Sequence, residues 1–198
     1  MTELRKASLS RQTKETKIDL SLNLDGIGKA DNRTGEAFFD HMLDQLAKHS
    51  GMDISLRCEG DLEIDCHHTV EDSGIVLGQA IRQALGDKLG IRRYGFASVP
   101  MDEALAQVSI DLSGRPFLHF QAAVPAEQLG TFETETVQEF MRALAQNAQM
   151  TLHINVPYGE NSHHIIEGIF KALAVALAEA IAIDPRRAGV LPSTKGSL

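Results

Sequence analysis

The sequence predicts an α+β fold made of two tandem β-β-α-β-α halves, with helices packed on one face of mostly antiparallel sheets. Three observations lead there: a repeated cluster, matching apolar positions around it, and the same succession of strand and helix periodicity in each half. The cluster His-His-x-x-Glu occurs as His67-His68-Thr69-Val70-Glu71 and again as His163-His164-Ile165-Ile166-Glu167. The shift of 96 positions that superposes them also carries Val70 onto Ile166, Leu77 onto Leu173, Ala80 onto Ala176 and Leu85 onto Ile181. Upstream, a shift of 98 carries Leu46 onto Leu144, Met52 onto Met150, Ile54 onto Leu152 and Leu56 onto Ile154. The two-residue difference falls in a loop, where insertions are tolerated.

In the first half, Ile18, Leu20, Leu22 and Leu24 alternate with polar residues up to Asp25-Gly26, which is strand periodicity closed by a turn. Phe38 to His49 carries apolar residues at helical spacing, and Gly51 ends it. Met52 to Leu56 reads as a strand, and about His67 to Leu85 as a helix. The second half repeats the order with strands near Ala104 to Leu112 and Phe117 to Val124, a helix from Thr134 to Ala148, a strand Thr151 to Val156 and a helix Ser162 to Ile183. The expectation is one domain over 1–198, with pseudo-repeats at about 5–92 and 93–185 and a C-terminal tail at 186–198.

With 198 residues, 43% hydrophobic and 23% charged, the composition is that of a soluble globular chain. A net charge of −8 argues against a surface for nucleic-acid phosphates, although a small basic pocket can still hold one phosphorylated metabolite. Cys58 and Cys66 form neither a disulfide framework nor a CxxC motif, and the N-terminus lacks the apolar core of a signal peptide, so a cytoplasmic location is expected. Glu167, Lys171 and Glu179 interrupt the most apolar stretch, Ile165 to Ile183, which therefore reads as a buried helix and not a membrane span.

On a helix, residues four apart lie within about 40° of each other and residues three apart within about 60°, so Glu71 shares a face with the histidines before it. Adjacent His67 and His68 diverge by about 100°, which favours two ions over joint chelation of one. The same holds for His163, His164 and Glu167. A lone histidine at a helix end is usually bonded to backbone or water, but a pattern found twice at equivalent positions overturns that reading. The shift of 98 also sets His41 opposite Glu139, completing eight candidate ligands: His41, His67, His68, Glu71, Glu139, His163, His164 and Glu167. Mixed imidazole and carboxylate donors suit manganese, iron or zinc. By pseudo-symmetry, His67, Glu71, His164 and Glu139 would serve one metal, and His163, Glu167, His68 and His41 the other. Cys66 reads as a small buried residue.

Outside this set, His119 and His153 fall in strand patterns and read as structural. His49 lies two turns beyond His41 on roughly the same face, with Gln45 between them, and fits a substrate contact as well as a helix-end role. Arg93, Arg115, Lys171 and Lys195 are candidates for an anion pocket, and Ser193-Thr194-Lys195-Gly196 offers hydroxyls, backbone NH groups and an ammonium together.

Over nearly its whole length the chain resembles the imidazoleglycerol-phosphate dehydratase family of histidine biosynthesis. The resemblance is carried by Phe39-Asp40-His41-Met42-Leu43-Asp44-Gln45-Leu46, His67-His68-Thr69-Val70-Glu71-Asp72, Arg93-Tyr94-Gly95, Pro100-Met101-Asp102-Glu103-Ala104, Glu160-Asn161-Ser162-His163-His164-Ile165-Ile166-Glu167 and Pro192-Ser193-Thr194-Lys195-Gly196. It implies a fold of the ribosomal protein S5 domain 2-like type and two Mn2+ per active site on the eight positions above. It also implies contacts to imidazole glycerol phosphate from Glu15, His41, Gln45, His49, Arg93, Arg115, Lys171 and Ser193 to Lys195, the last forming a substrate-binding tail. Glu139 stands where some members carry histidine, which bears on metal preference. A homo-oligomer of 24 subunits built from trimers, with sites between subunits, is implied too. The length leads us to expect the dehydratase alone, without the extra phosphatase domain of some relatives.

The implied reaction takes a proton from carbon. Glu167 or Glu71 is expected to transfer that proton, with Glu15 or Asp102 assisting hydroxyl departure or reprotonation. Two other readings of the same residues are a two-metal phosphate-ester hydrolase, which would release inorganic phosphate, and a non-catalytic protein whose ions merely join subunits.

Overall fold

The structure, a computed structural model, describes residues 5–198, so the first four residues of the expected 1–198 domain lie outside it. In the first half, β1 (Lys6–Gln12), β2 (Thr16–Asn23), β3 (Ala30–Arg33) and β4 (Asp53–Gly60) form one sheet in the order β1-β2-β4-β3. Helix α1 (Ala37–Ser50) precedes β4 and α2 (His67–Leu85) follows it. The second half repeats the plan with β5 (Tyr94–Met101), β6 (Ala104–Asp111), β7 (Phe117–Gln121) and β10 (Thr151–Tyr158) in the order β5-β6-β10-β7, and with α3 (Thr136–Ala148) and α4 (Ser162–Ile181). A short hairpin, β8 (Gln128–Leu129) with β9 (Phe132–Glu133), leads into α3.

Each main sheet thus has four strands where the expected β-β-α-β-α unit has three, and the sequence pattern located only two of them in the first half and three in the second. In each sheet two pairings are antiparallel, and the third, β3 with β4 or β7 with β10, is parallel. The extra strands are β1 and β3 in the first half and β5 in the second. Helix ends differ slightly from expectation: α3 starts at Thr136, after the β8–β9 hairpin, and α4 ends at Ile181, where Ala182 turns to extended backbone.

Helices α1 and α2 pack on the first sheet, and α3 and α4 on the second. Across the middle α2 meets α3 and α1 meets α4, so four helices lie between two sheets. Because α1 corresponds to α3 and α2 to α4, these two contacts are equivalent, as a duplication requires. Strand alternation supplies the apolar floor: Ile18, Leu20 and Leu22 of β2 are buried, while Lys17, Asp19 and Ser21 face outward. The α2–α3 crossing is close because Gly74 and Gly78 face it. A Cβ on Gly74 would sit 2.8 Å from the Phe140 carbonyl oxygen, and one on Gly78 2.8 Å from that of Leu144. Gly51 caps α1 at φ 74° and donates its NH to Ala47, closing the helix as its sequence position predicts. The buried Asp72 of α2 accepts from both Arg11 and Thr16, which ties the β1–β2 hairpin to the start of α2.

Among the described residues, no helix is long and apolar enough to cross a membrane.

Candidate metal and substrate site

Both clusters open a helix. Asn161 caps α4, its side-chain oxygen accepting from His163 NH at 2.9 Å and His164 NH at 3.2 Å. Asp65 does the same for His67 NH at 2.8 Å. The NH groups of His163, His164 and His67 are therefore already satisfied, and their rings are left to other partners.

The first histidine of each pair turns back along its own helix. His163 Nε2 lies 2.9 Å from Glu167 Oε2, and His67 Nε2 lies 3.4 Å from Glu71 Oε2. From the opposite half, His41 Nε2 comes within 3.4 Å of the same Glu167 oxygen. One ligand atom from each of His41, His163 and Glu167 thus lies within 4.8 Å of the other two; among the described residues no other trio of His, Cys, Asp or Glu closes to this spacing. Two imidazole nitrogens and a buried carboxylate make a donor set that fits a borderline divalent ion. The equivalent trio of Glu139, His67 and Glu71 stays more open, because the Glu139 carboxylate is paired with Arg142 one turn along α3.

Lys171 holds the other Glu167 oxygen at 2.6 Å. Burial works to raise the Glu167 carboxyl, but hydrogen bonds from Lys171 and His163 outweigh it and hold it at about 2. Glu71 has no such lysine and its side chain is 41% exposed against 7% for Glu167, so the equivalent carboxylates differ in freedom.

The second histidine of each pair points elsewhere, as the angle between adjacent helical residues requires. The ring planes are 89° apart for His67 and His68 and 83° apart for His163 and His164. His68 Nδ1 meets Asp61 at 3.0 Å, with Glu15 3.9 Å from its Nε2. His164 Nδ1 meets Glu103 at 2.7 Å, with Asp102 3.7 Å from its Nε2. Hydrogen bonds to Asp61 and to Glu103 raise the pKa of His68 and His164 respectively. Glu103 itself is lowered to about 2, first by the Asn161 backbone NH and then by His164. This corrects the four-ligand grouping for a single chain: His68 does not join His41, His163 and Glu167, and His164 does not join His67, Glu71 and Glu139.

Of the remaining candidates, His49 Nε2 is 3.0 Å from Gln45 Oε1 on α1, and burial followed by the Lys171 ammonium lowers its pKa. Arg93 is already engaged: Nε and Nη2 reach Asp111 at 2.7 and 3.1 Å, and Nη1 reaches the Pro192 carbonyl at 2.8 Å. Arg115 approaches the same Asp111 at 3.7 Å and is otherwise exposed. Arg93 therefore moors the chain just before Ser193, Thr194 and Lys195, where Lys195 NH donates to Ser193 Oγ. Cys66 is buried, accepting from Glu133 NH at 3.5 Å, away from the ligands. His119 and His153 lie against each other at a tilt of 39°, 5.3 Å between ring centres, on the exposed side of β7 and β10. Asp61 and Glu103 were not singled out from sequence; their partners become visible only when the loops fold against α2 and α4.

Comparison with known proteins agrees with the fold. The family model described as imidazoleglycerol-phosphate dehydratase matches residues 34–177. A protein of that name from Cereibacter sphaeroides is 58% identical, covering 98% of this chain and 100% of its own. Another, from Symbiobacterium thermophilum, is 60% identical over 98% of this chain and 93% of its own. The crystal structure of the Pyrococcus furiosus protein, in complex with (S)-C348, superposes with a TM-score of 0.82 at 37% identity, covering 96% of this chain and 100% of the other.

Proposed function

The chain belongs to the imidazoleglycerol-phosphate dehydratase family, and from that premise we propose how its residues carry the reaction. The activity is that of a hydro-lyase of histidine biosynthesis: imidazole glycerol phosphate loses water from its glycerol chain, and the resulting enol becomes the ketone of imidazole acetol phosphate.

The observation that carries the reading is the convergence of His41, His163 and Glu167 from opposite halves of the chain. These three would hold one Mn2+, and His67, Glu71 and Glu139 would hold a second. His68 and His164, whose rings turn away from these trios toward Asp61 and Glu103, would complete the sets across subunit contacts in a homo-oligomer of 24 chains built from trimers. The exposed Tyr94, Phe96 and Phe117 support such burial against other subunits. When bound, such ions would supply Lewis-acid chemistry that eases loss of a proton from carbon.

The chain's own groups divide the remaining work. Glu71, with a more exposed side chain and no lysine on its carboxylate, takes the proton from carbon; Glu167, anchored by Lys171, keeps its place. Glu15 and Asp102, near Nε2 of His68 and of His164 respectively, deliver or accept the proton at the departing hydroxyl and in ketonisation. General acid and base action of this kind contributes roughly 10²- to 10⁴-fold. Gln45 and His49 orient the glycerol chain. Arg115 and Ser193, Thr194 and Lys195 of the tail at 186–198 bind the phosphate, with Arg93 and Lys171 adding their charge from the places where they hold the tail and Glu167, and the protein works in the cytoplasm.

The test is to incubate metal-loaded and chelator-stripped protein with imidazole glycerol phosphate and identify the products. Ketone formation with phosphate retained, dependent on Mn2+, is expected. Inorganic phosphate as the product, or no turnover in either sample, overturns the reading.

A further inference from the structure

His68 and His164 share a feature that duplication alone does not produce. Each has Nδ1 against a carboxylate: His164 against Glu103 at 2.7 Å, and His68 against both oxygens of Asp61 at 3.0 and 3.2 Å. The two anchors are not equivalent positions. Asp61 lies in the loop between β4 and α2, whereas Glu103 lies in the β5–β6 turn. The cross-strand pairs Leu22 with Ile54 and Ile110 with Leu152 set β2 and β6 in correspondence and make Glu15 the counterpart of Glu103. Two halves therefore reach the same imidazole contact from different places.

An ionised carboxylate only accepts, so in the neutral imidazole Nδ1 carries the proton and Nε2 keeps a free lone pair. Asp102 and Glu15 approach Nε2 only to 3.7 and 3.9 Å, too far for a hydrogen bond that would consume that lone pair. Glu103 is itself fixed, since its Oε1 accepts from Asn161 NH at 2.7 Å and Glu160 NH at 3.2 Å while Oε2 meets the ring.

We propose that Asp61 and Glu103 are positioning residues that hold His68 and His164 in the Nδ1-protonated tautomer and orientation, so that both offer Nε2 to a metal ion; this rests on reading those histidines as metal ligands. Outer partners of this kind typically affect metal affinity 10- to 100-fold.

Glu103→Gln tests the idea sharply. The backbone NH groups of Glu160 and Asn161 retain the amide oxygen, which leaves the amide nitrogen to donate toward Nδ1 and drives the proton to Nε2. Mn2+ affinity is measured calorimetrically on chelator-stripped full-length protein, with the melting temperature of each metal-free variant alongside. Glu103→Gln and Asp61→Asn are each expected to weaken Mn2+ binding roughly 10- to 100-fold with the metal-free melting temperature unchanged. Wild-type affinity in both variants overturns the proposal. Should Glu103→Gln fail to fold, Asp61→Asn decides alone, because Asp61 plays no part in the Glu160–Asn161 loop. His68→Ala and His164→Ala separate the two levels: wild-type affinity in these overturns the ligand reading itself.

Discussion

Lys171 Nζ lies 2.6 Å from Oε1 of Glu167, and Oε2 of that carboxylate faces His163 at 2.9 Å and His41 at 3.4 Å. A lysine thus takes one oxygen and leaves the other to two imidazoles. The Glu167 carboxyl, held at about 2, lies below the ordinary glutamate value of about 4.3. Its ionised form therefore stabilises the fold fully above about pH 4.3, and that contribution is lost as the pH falls through the folded value. In metal-free Lys171→Met the carboxyl returns toward its ordinary value. The difference in melting temperature from wild type is expected to be present at neutral pH and to close between about pH 4 and pH 2. A difference that stays constant with pH would mean that Lys171 acts only through packing.

The mooring of the tail predicts a split in kinetics. Arg93 adopts φ 74°, unusual for a side chain of its size, and its NH is pinned to the Ala180 carbonyl while its guanidinium bridges Asp111 and Pro192. Asp111→Asn removes the charged half of that bridge, a contact of roughly 1.5–3 kcal/mol. KM for the phosphate substrate is expected to rise about tenfold or more, with kcat changed much less, in steady-state assays. Equal falls in kcat and kcat/KM would place the effect on the chemical step instead.

Much of this architecture was legible because duplication writes it twice. The matched positions of Leu77 with Leu173 and Ile54 with Leu152 revealed the halves before any contact was known. Strand β3 was not legible: Ala30-Asp31-Asn32-Arg33 is polar and mostly exposed, and its extended form is imposed by parallel pairing with β4. Pro100 and the weak alternation of β5 obscured that edge strand in the same way. At the site, helix geometry foretold that adjacent histidines part, but it could not say toward what. The partners of His68 and His164 depend on where the loop before α2 and the β5–β6 turn settle, which is tertiary information.

The helix crossings predict opposite signs for two glycine substitutions. Gly74→Ala gains up to about 1 kcal/mol in helix propensity. However, its Cβ would meet the backbone oxygen of Phe140 at 2.8 Å, and that carbonyl belongs to a packed helix that cannot yield cheaply. A net loss of about 1–3 kcal/mol is expected. In α4, a Cβ on Gly168 would meet Ala106 Cβ at 3.5 Å and Met101 Cβ at 3.7 Å, which is ordinary contact. Gly168→Ala is expected to be neutral or stabilising by up to about 1 kcal/mol. Urea denaturation of both variants checks the pair, and equal effects would refute the close-approach account of α2 and α3.

Glu139 is the residue where the two halves depart chemically from their own symmetry. The shift of 98 that carries α1 onto α3 sets it opposite His41, yet it pairs with Arg142, whereas His41 faces Glu167. As a ligand it would bias its site toward harder metals, with Arg142 offsetting part of its charge. Glu139→His makes the two inner trios alike and leaves the Arg142 guanidinium without its partner. Nitrogen for oxygen favours zinc over manganese, and the unpaired cation weakens binding of any divalent ion. After dialysis against equal concentrations of both metals, the bound Zn2+ to Mn2+ ratio is expected to rise about tenfold, equivalent to ~1.4 kcal/mol, while total affinity falls. Arg142→Gln made alongside isolates the second effect, lowering neither metal selectively. An unchanged ratio in Glu139→His would remove Glu139 from the ligand set and leave His67 and Glu71 to find their further donors elsewhere.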